Sequence, residues 1–357
     1  MYFIVFFYLS FQVCFLLMLL LTPGPVEDQG YSEVTPSLPI LNNKRFLIAA
    51  NFYNNEDTIP IFADEIVKLS KYIGPERLFV SVYENGSKDS SKWQLKRLEG
   101  KLIANNIDGL IIPDSTIKPK MDIEIDRIEY FAKLRNKVLD PLFQREELSS
   151  TITHVLFVND VAFSVEDFLH LLFTNDMDYD AACSLDFQEV GTLYDRWVIR
   201  DTQGELLAPS YPFFKGVEDQ GNIYKREPFP VFTCWNGMMF MKSEPFLKKS
   251  LRFRNSFKND GCYQSECFLI CQDLRVLGAT NILVNPNVLV TYSPSKYSLN
   301  RFYLLSPLAQ KLKKLLGITK ESDLDLKYDP LANGKIANLK KYVPPKMNME
   351  VDCVDWV

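Results

Sequence analysis

The sequence predicts an α/β fold built on a mainly parallel sheet. Short apolar runs rich in Val, Ile, Phe and Tyr alternate with segments of helical period, and nearly every such run ends in Asn, Asp or Glu. Alternation of this kind places parallel strands side by side with helices packed on the sheet.

The first element lies outside that pattern. Tyr2 to Leu21 carries no charged side chain, and a helix of this length spans roughly 30 Å, the hydrocarbon thickness of a bilayer. It ends at Thr22-Pro23-Gly24-Pro25, and it lacks the basic start and short core of a secretory signal. A membrane anchor over residues 1–22 is therefore expected, with a cleaved signal as the alternative. Residues 23–43, rich in Pro, Gly, Ser and Asn, read as a stem, 44–300 as one domain, and 301–357 as an extension packed on it.

Within the domain, Arg45 to Ala50 reads as a buried strand, followed by a helix marked by Ile59, Phe62, Ile66, Leu69 and Ile73 and closed by Gly74-Pro75. Leu78 to Tyr83 is the second strand. Ser90 to Ala104 follows as a helix with Trp93, Leu95 and Leu98 as its apolar points. Gly109 to Ile112 makes a third strand, Asp126 to Phe143 a helix with Ile128, Phe131, Leu134, Val138 and Leu142 on one stripe. His154 to Val158 is a further strand, Val165 to Phe173 a helix and Tyr179 to Leu185 the last strand of the alternation.

Composition narrows the function. The chain has 357 residues with 40 Lys+Arg against 45 Asp+Glu, and 47% of its residues are hydrophobic. It therefore folds, and its slight acidity argues against a nucleic-acid ligand. GxGxxG, GxxxxGK[ST] and GxSxG motifs are missing. His154 and His170, the two histidines, lie in a strand and a helix and read as structural. Beyond Cys14 six cysteines remain, compatible with disulfides in an oxidising compartment. Asn85-Gly86-Ser87 is a glycosylation sequon, a second, weak sign of a lumenal domain.

Ligands of open α/β sheets bind beyond the carboxyl ends of the strands. The residues there are Asn51 to Glu56, Glu84 with Asn85, Asp114, Asn159 with Asp160, and Asp186. Together they suit a divalent cation and an anionic ligand; singly, each could simply cap a helix. Arg127 and Arg135 stand eight apart on one helix and could meet phosphate or form a solvated face.

Several segments taken in order resemble one family. They are Phe46 to Glu56, Val82 to Ser87, Leu134-Arg135-Asn136, Val158-Asn159-Asp160-Val161, Tyr194-Asp195 to Arg200-Asp201, Cys234-Trp235-Asn236-Gly237 and Ser265-Glu266-Cys267. This series is similar to the fungal cryptococcal-type α-1,3-mannosyltransferases, the capsule-associated family related to CAP59-type proteins. The resemblance implies a Golgi type II membrane enzyme with a lumenal GT-A-like, Rossmann-like nucleotide-sugar domain. Such an enzyme would transfer mannose from GDP-mannose to a glycan acceptor with retention, aided by Mn²⁺ or Mg²⁺.

The resemblance assigns the metal and catalytic carboxylate to Asp160, although Val158 stands where a DxD motif has its first Asp. Asn51, Asn54 and Glu84 fall where base and ribose are held, with Arg127, Arg135 and Asn159 as further donor-binding candidates. Trp235 and Asn236 match an acceptor loop, though Trp235 could be core. Glu266 and Asp273 share a helical face, and either could serve the acceptor hydroxyl or the developing cation. Asp195 and Asp201, flanking Arg196 and Arg200, could form a structural ion-pair network or take part in catalysis. Two other classes stay open: a two-carboxylate glycoside hydrolase and a non-catalytic glycan-binding or assembly relative.

Overall fold

The apolar run after Arg45 forms β1 (Phe46–Phe52), buried along nearly its whole length. The computed structural model describes residues 39–117, 124–256, 263–306 and 309. The expected anchor, most of the stem and nearly all of the C-terminal extension lie outside these. Among the described residues no helix is long and apolar enough to cross a membrane.

The remaining strands are β2 (Leu78–Glu84), β3 (Asp108–Pro113), β4 (His154–Val158), β5 (Ala181–Glu189), β6 (Thr192–Leu193), β7 (Phe229–Pro230), β8 (Met238–Lys242) and β9 (Ile282–Thr291). They form one sheet in the order β3-β2-β1-β4-β8-β5-β9-β7, with β6 paired to β5. Helices of eight or more residues are α1 (Thr58–Ile73), α2 (Ser91–Ala104), α3 (Glu124–Val138), α4 (Val165–Leu172), α5 (Val217–Lys225), α6 (Glu266–Val276) and α7 (Tyr297–Leu305).

The two-residue period of β1 sorts the core into two layers. Phe46, Ile48, Ala50 and Phe52 pack with α1, α2 and α4, while Leu47 and Ala49 pack with α3 and α6 on the other face. All five apolar points of α1 are buried. The expected helix from Asp126 to Phe143 instead stops at Val138. Pro141 then opens a separate turn, Asp140–Gln144, because proline cannot donate within a continuing helix. On α2, Leu95 and Leu98 enter the core as expected, but Trp93 is 58% exposed.

The sheet is mixed rather than mainly parallel. β3, β2, β1 and β4 are parallel, as are β5 and β9. Between the two groups β8 runs antiparallel to both β4 and β5. The reversal follows from the turn before it: Asn236 and Gly237 both take left-handed φ, 47° and 86°. A side chain at Gly237 would lie 2.6 Å from Val290 Cγ2, so the turn needs glycine twice over. A disulfide between Cys183 on β5 and Cys234 fixes the chain just before this turn, while Cys267 and Cys271 are free and buried.

Candidate functional site

β1 is flanked by β2 on one side and β4 on the other. The chain leaves β1 toward β2 and only later returns to β4. The two loops beyond β1 and β4 therefore part in opposite directions, and such a switch point opens a crevice. A cavity of about 810 Å³ occupies it.

Asp160 stands one residue beyond Asn159 in a tight turn. The Asn159 N–H donates to Gly237 O at 2.8 Å and the Val161 N–H to Asn159 O at 2.8 Å. The turn leaves the Asp160 carboxylate lining the cavity. Its Oδ2 accepts from Asn55 Nδ2 at 2.9 Å, joining the ends of β4 and β1.

Arg135 is the best-held cation of the site. Its Nε donates to Glu266 Oε1 at 2.9 Å, with both side chains largely buried, and its Nη1 donates to Asn159 Oδ1 at 3.2 Å. Behind it lies Trp235, whose ring centroid is 4.3 Å from the guanidinium carbon and whose Nε1 donates to the same Asn159 oxygen at 3.1 Å. Asn159 Nδ2 in turn donates to the Tyr292 hydroxyl at 2.8 Å. Glu266 owes its place to Ser265, which caps α6 through the Phe268 N–H.

The cavity brings together Asn51, Arg127, Arg135, Asn159, Asp160 and Glu266. Asn51 also ties β1 to α3, donating from Nδ2 to Leu134 O at 3.1 Å. Five other candidates stand elsewhere. Asn54 is exposed and binds the neighbouring loop, donating to Ser87 Oγ and accepting from the Lys88 N–H. Glu84 is buried and accepts the Ser87 N–H, closing its own turn. Asp273 is engaged by Arg254 through two bonds of 2.7 and 2.9 Å; it shares a face of α6 with Glu266 but stands about 10.5 Å further along the axis.

Trp235 and Asn236 are fully buried, so neither presents a surface to an acceptor. Trp235 backs Arg135, and Asn236 donates to Asp186 Oδ1 at 2.8 Å and to Asp195 O at 3.1 Å. The sequon is likewise not free: Asn85 is buried, lines the cavity and donates to the Tyr130 hydroxyl. Arg200, read as an ion-pair partner, is buried and donates to the carbonyls of Arg196, Trp197 and Ile199.

Sequence reasoning undervalued Asp195, which lines the cavity, and missed Tyr292 altogether. Tyr292 follows β9, where Asn285-Pro286-Asn287 breaks the strand pattern. The ladder to β5 shifts register there, so the signal of a strand end was hidden. The Asp195 N–H donates to Asp186 Oδ1 at 3.1 Å. Burial, and for Asp195 also the neighbouring charges of Asp186 and Glu266, push both carboxyls upward.

A raised carboxyl means that the folded state holds a proton the unfolded chain has lost. Its stabilising contribution is complete below the ordinary carboxylate range and is lost as pH rises through the raised value. Asp195→Asn is therefore expected to raise stability at about pH 8 by about 1–3 kcal/mol and to change it little at about pH 4. Urea unfolding at the two pH values measures this; equal effects at both would contradict it.

A charged cavity at the switch point of an α/β sheet stands where such folds take small ligands. The family is specific: residues 45–273 match the family described as Cryptococcal mannosyltransferase 1, and the chain belongs to that family. The alpha-1,3-mannosyltransferase CMT1 of Cryptococcus neoformans var. neoformans serotype D is 31% identical over 278 residues, 71% of this chain and 59% of its own length. The chain thus spans less than two thirds of that relative. Among solved structures, S. aureus TarS 1–349 in complex with UDP-GlcNAc is 16% identical, with 77% of this chain and 66% of that one covered and a TM-score of 0.42. The mannosyltransferase PcManGT from Pyrobaculum calidifontis, in complex with GDP-Man and Mn²⁺, is 11% identical, with 78% and 77% covered and a TM-score of 0.42.

Proposed function

We propose that this cavity binds a nucleotide sugar on a GT-A-like fold and that the protein transfers mannose from GDP-mannose to a glycan acceptor, with retention at the anomeric carbon. The family match over residues 45–273 carries the proposal. That stretch holds the ends of β1 and β4, Arg135 on α3 and Glu266 on α6, most of the charged cavity wall.

In this reading Asn51 sits with the base and ribose, and Arg127 and Arg135 meet the diphosphate. Arg135 suits that task because Glu266, Asn159 and Trp235 fix it before any ligand arrives, so little ordering remains on binding. A divalent cation, Mn²⁺ or Mg²⁺, belongs to the same reading. Among the described residues no group of three His, Cys, Asp or Glu side chains could hold a metal ion. Asp160 fits an ion shared with the ligand instead, since its carboxylate lines the cavity with one hydrogen bond, from Asn55. Ions of this kind can be bound through one or two carboxylates plus substrate phosphates. When bound, the ion neutralises charge on the departing diphosphate. The Cys183–Cys234 disulfide supports an oxidising lumen, in keeping with a Golgi membrane enzyme of type II.

The test is a panel of GDP- and UDP-sugars offered to the full chain with Mn²⁺ and mannoside acceptors. GDP-mannose is the donor expected to be consumed. Turnover of UDP-sugars alone would overturn the mannosyl assignment. Cleavage of an oligosaccharide without donor would favour a hydrolase, and no turnover of any substrate a non-catalytic relative.

A further inference from the structure

We propose that Tyr194, with Asp195 beside it, is the subsite that holds the acceptor sugar. This subsite rests on the nucleotide-sugar reading of the cavity and gives the second substrate a place, which the burial of Trp235 and Asn236 had left open.

Tyr194 is 50% exposed and lines the cavity. A side chain this open is nevertheless held in place from several sides. β5 and β6 form a hairpin through Val190-Gly191, where Gly191 takes a φ of 72°. The Gly191 N–H donates to Asn300 Oδ1 on α7 at 2.8 Å. Beyond the hairpin the Tyr194 N–H donates to Asp186 O at 2.9 Å, and the Tyr194 carbonyl accepts the Arg196 N–H at 2.9 Å. One side of the ring rests on Tyr292, with centroids 4.8 Å apart and planes tilted by 55°. Tyr292 is itself held at its hydroxyl by Asn159 Nδ2. The ring is thus fixed before any ligand arrives, and a ligand packing on its open side need order little.

Asp195 supplies the polar half of the subsite. Its N–H donates to Asp186 Oδ1 at 3.1 Å and its carbonyl accepts from Asn236 Nδ2 at 3.1 Å, and it lines the same cavity. A pyranose has an apolar face of C–H groups and a rim of hydroxyls. An aromatic ring next to a carboxyl meets both, the ring taking the C–H face and the carboxyl the hydroxyls.

Position in the sheet selects the acceptor. In the order β1-β4-β8-β5, Asn51 on β1 and Tyr194 beside β5 stand on opposite sides of Asp160 at the end of β4. With the base at Asn51 and the diphosphate at Asp160 and Arg135, the far side is left for the second sugar. The charges of Arg127 and Asp160 both reach the Tyr194 hydroxyl, so a sugar on this ring lies next to the transferred mannose.

The test uses the full chain and two readouts. In steady-state transfer from GDP-mannose to a mannobioside with Mn²⁺, Tyr194→Ala is expected to raise the acceptor KM about tenfold or more. The KM for GDP-mannose and its hydrolysis without acceptor should change less than about twofold. Tyr194→Phe, which keeps the ring, should bring the acceptor KM back to within about threefold of the wild type. Asp195→Ala, which leaves the backbone ties to Asp186 and Asn236 in place, should also raise the acceptor KM about tenfold. Circular dichroism checks that each variant is folded. The second readout is saturation-transfer nuclear magnetic resonance of the mannobioside with GDP and Mn²⁺, in which no transfer is needed. Its signal should appear with the wild type and Tyr194→Phe and be lost with Tyr194→Ala. An unchanged acceptor KM in either alanine variant, a raised KM for GDP-mannose instead, or no mannobioside signal with the wild type would overturn the proposal. A Tyr194-dependent signal from a wild type that consumes no GDP-mannose would support the subsite and fail the donor assignment alone.

Discussion

Asp160→Ala is expected to lower mannosyl transfer roughly a thousandfold while leaving the protein folded. The two halves of this expectation have different origins. Asp160 contributes little to the fold: it lies beyond the end of β4, and its Oδ2 accepts one hydrogen bond, from Asn55. Losing that bond should cost about 1 kcal/mol. Its value lies in facing the cavity, where a carboxylate can complete the shell of an ion shared with a diphosphate. Steady-state transfer and urea unfolding of the same variant separate the effects. Near-normal turnover would remove Asp160 from the mechanism, and global unfolding would show that its role is structural.

Arg135→Ala should damage both properties. Glu266 would be left with its charge buried and without its guanidinium, and breaking a buried pair by removing one partner costs about 3–5 kcal/mol. Asn159 Oδ1 would keep its bond from Trp235 but lose the one from Arg135. Transfer should fall at least a hundredfold, because a preorganised cation toward a leaving group is worth several kcal/mol. Arg135→Ala/Glu266→Gln provides the discriminating control, since it removes the stranded charge. Stability should recover in the double variant while activity does not. Recovery of both would mean that Arg135 serves the fold alone.

The parts of this molecule legible in its sequence are those with a strong period. β1, β4 and α1 are read almost residue for residue because their apolar positions repeat without interruption. From them follow the strand ends, and so Asn51, Asn159 and Asp160 in the cavity wall. Position along the chain does not reveal which way a side chain turns after the strand stops. Asn54, Glu84 and Asp160 looked equivalent, yet Asn54 binds the loop after β2 and Glu84 closes its own turn. Trp235 and Asn236 looked like a sugar-facing loop, but the left-handed turn at Asn236-Gly237 directs the Trp235 indole to Asn159 and the Asn236 amide to Asp186. The antiparallel β8 was hidden for a similar reason, since its direction is decided by that turn and its partners, not by its own residues. Trp93 shows the converse limit: hydrophobicity placed it in the core, whereas the helix had already filled its inner face with Leu95, Leu98 and Leu102.

The account rests on retaining mannosyl transfer at the β1–β4 switch point. The most direct measurement is nuclear magnetic resonance of the product formed by the full chain from GDP-mannose and a mannoside acceptor in the presence of Mn²⁺. An α-linked mannosyl product, absent when Asp160→Ala replaces the wild type, is the result expected. A β-linked product, or the same α-linked product at undiminished rate from the Asp160 variant, would contradict it.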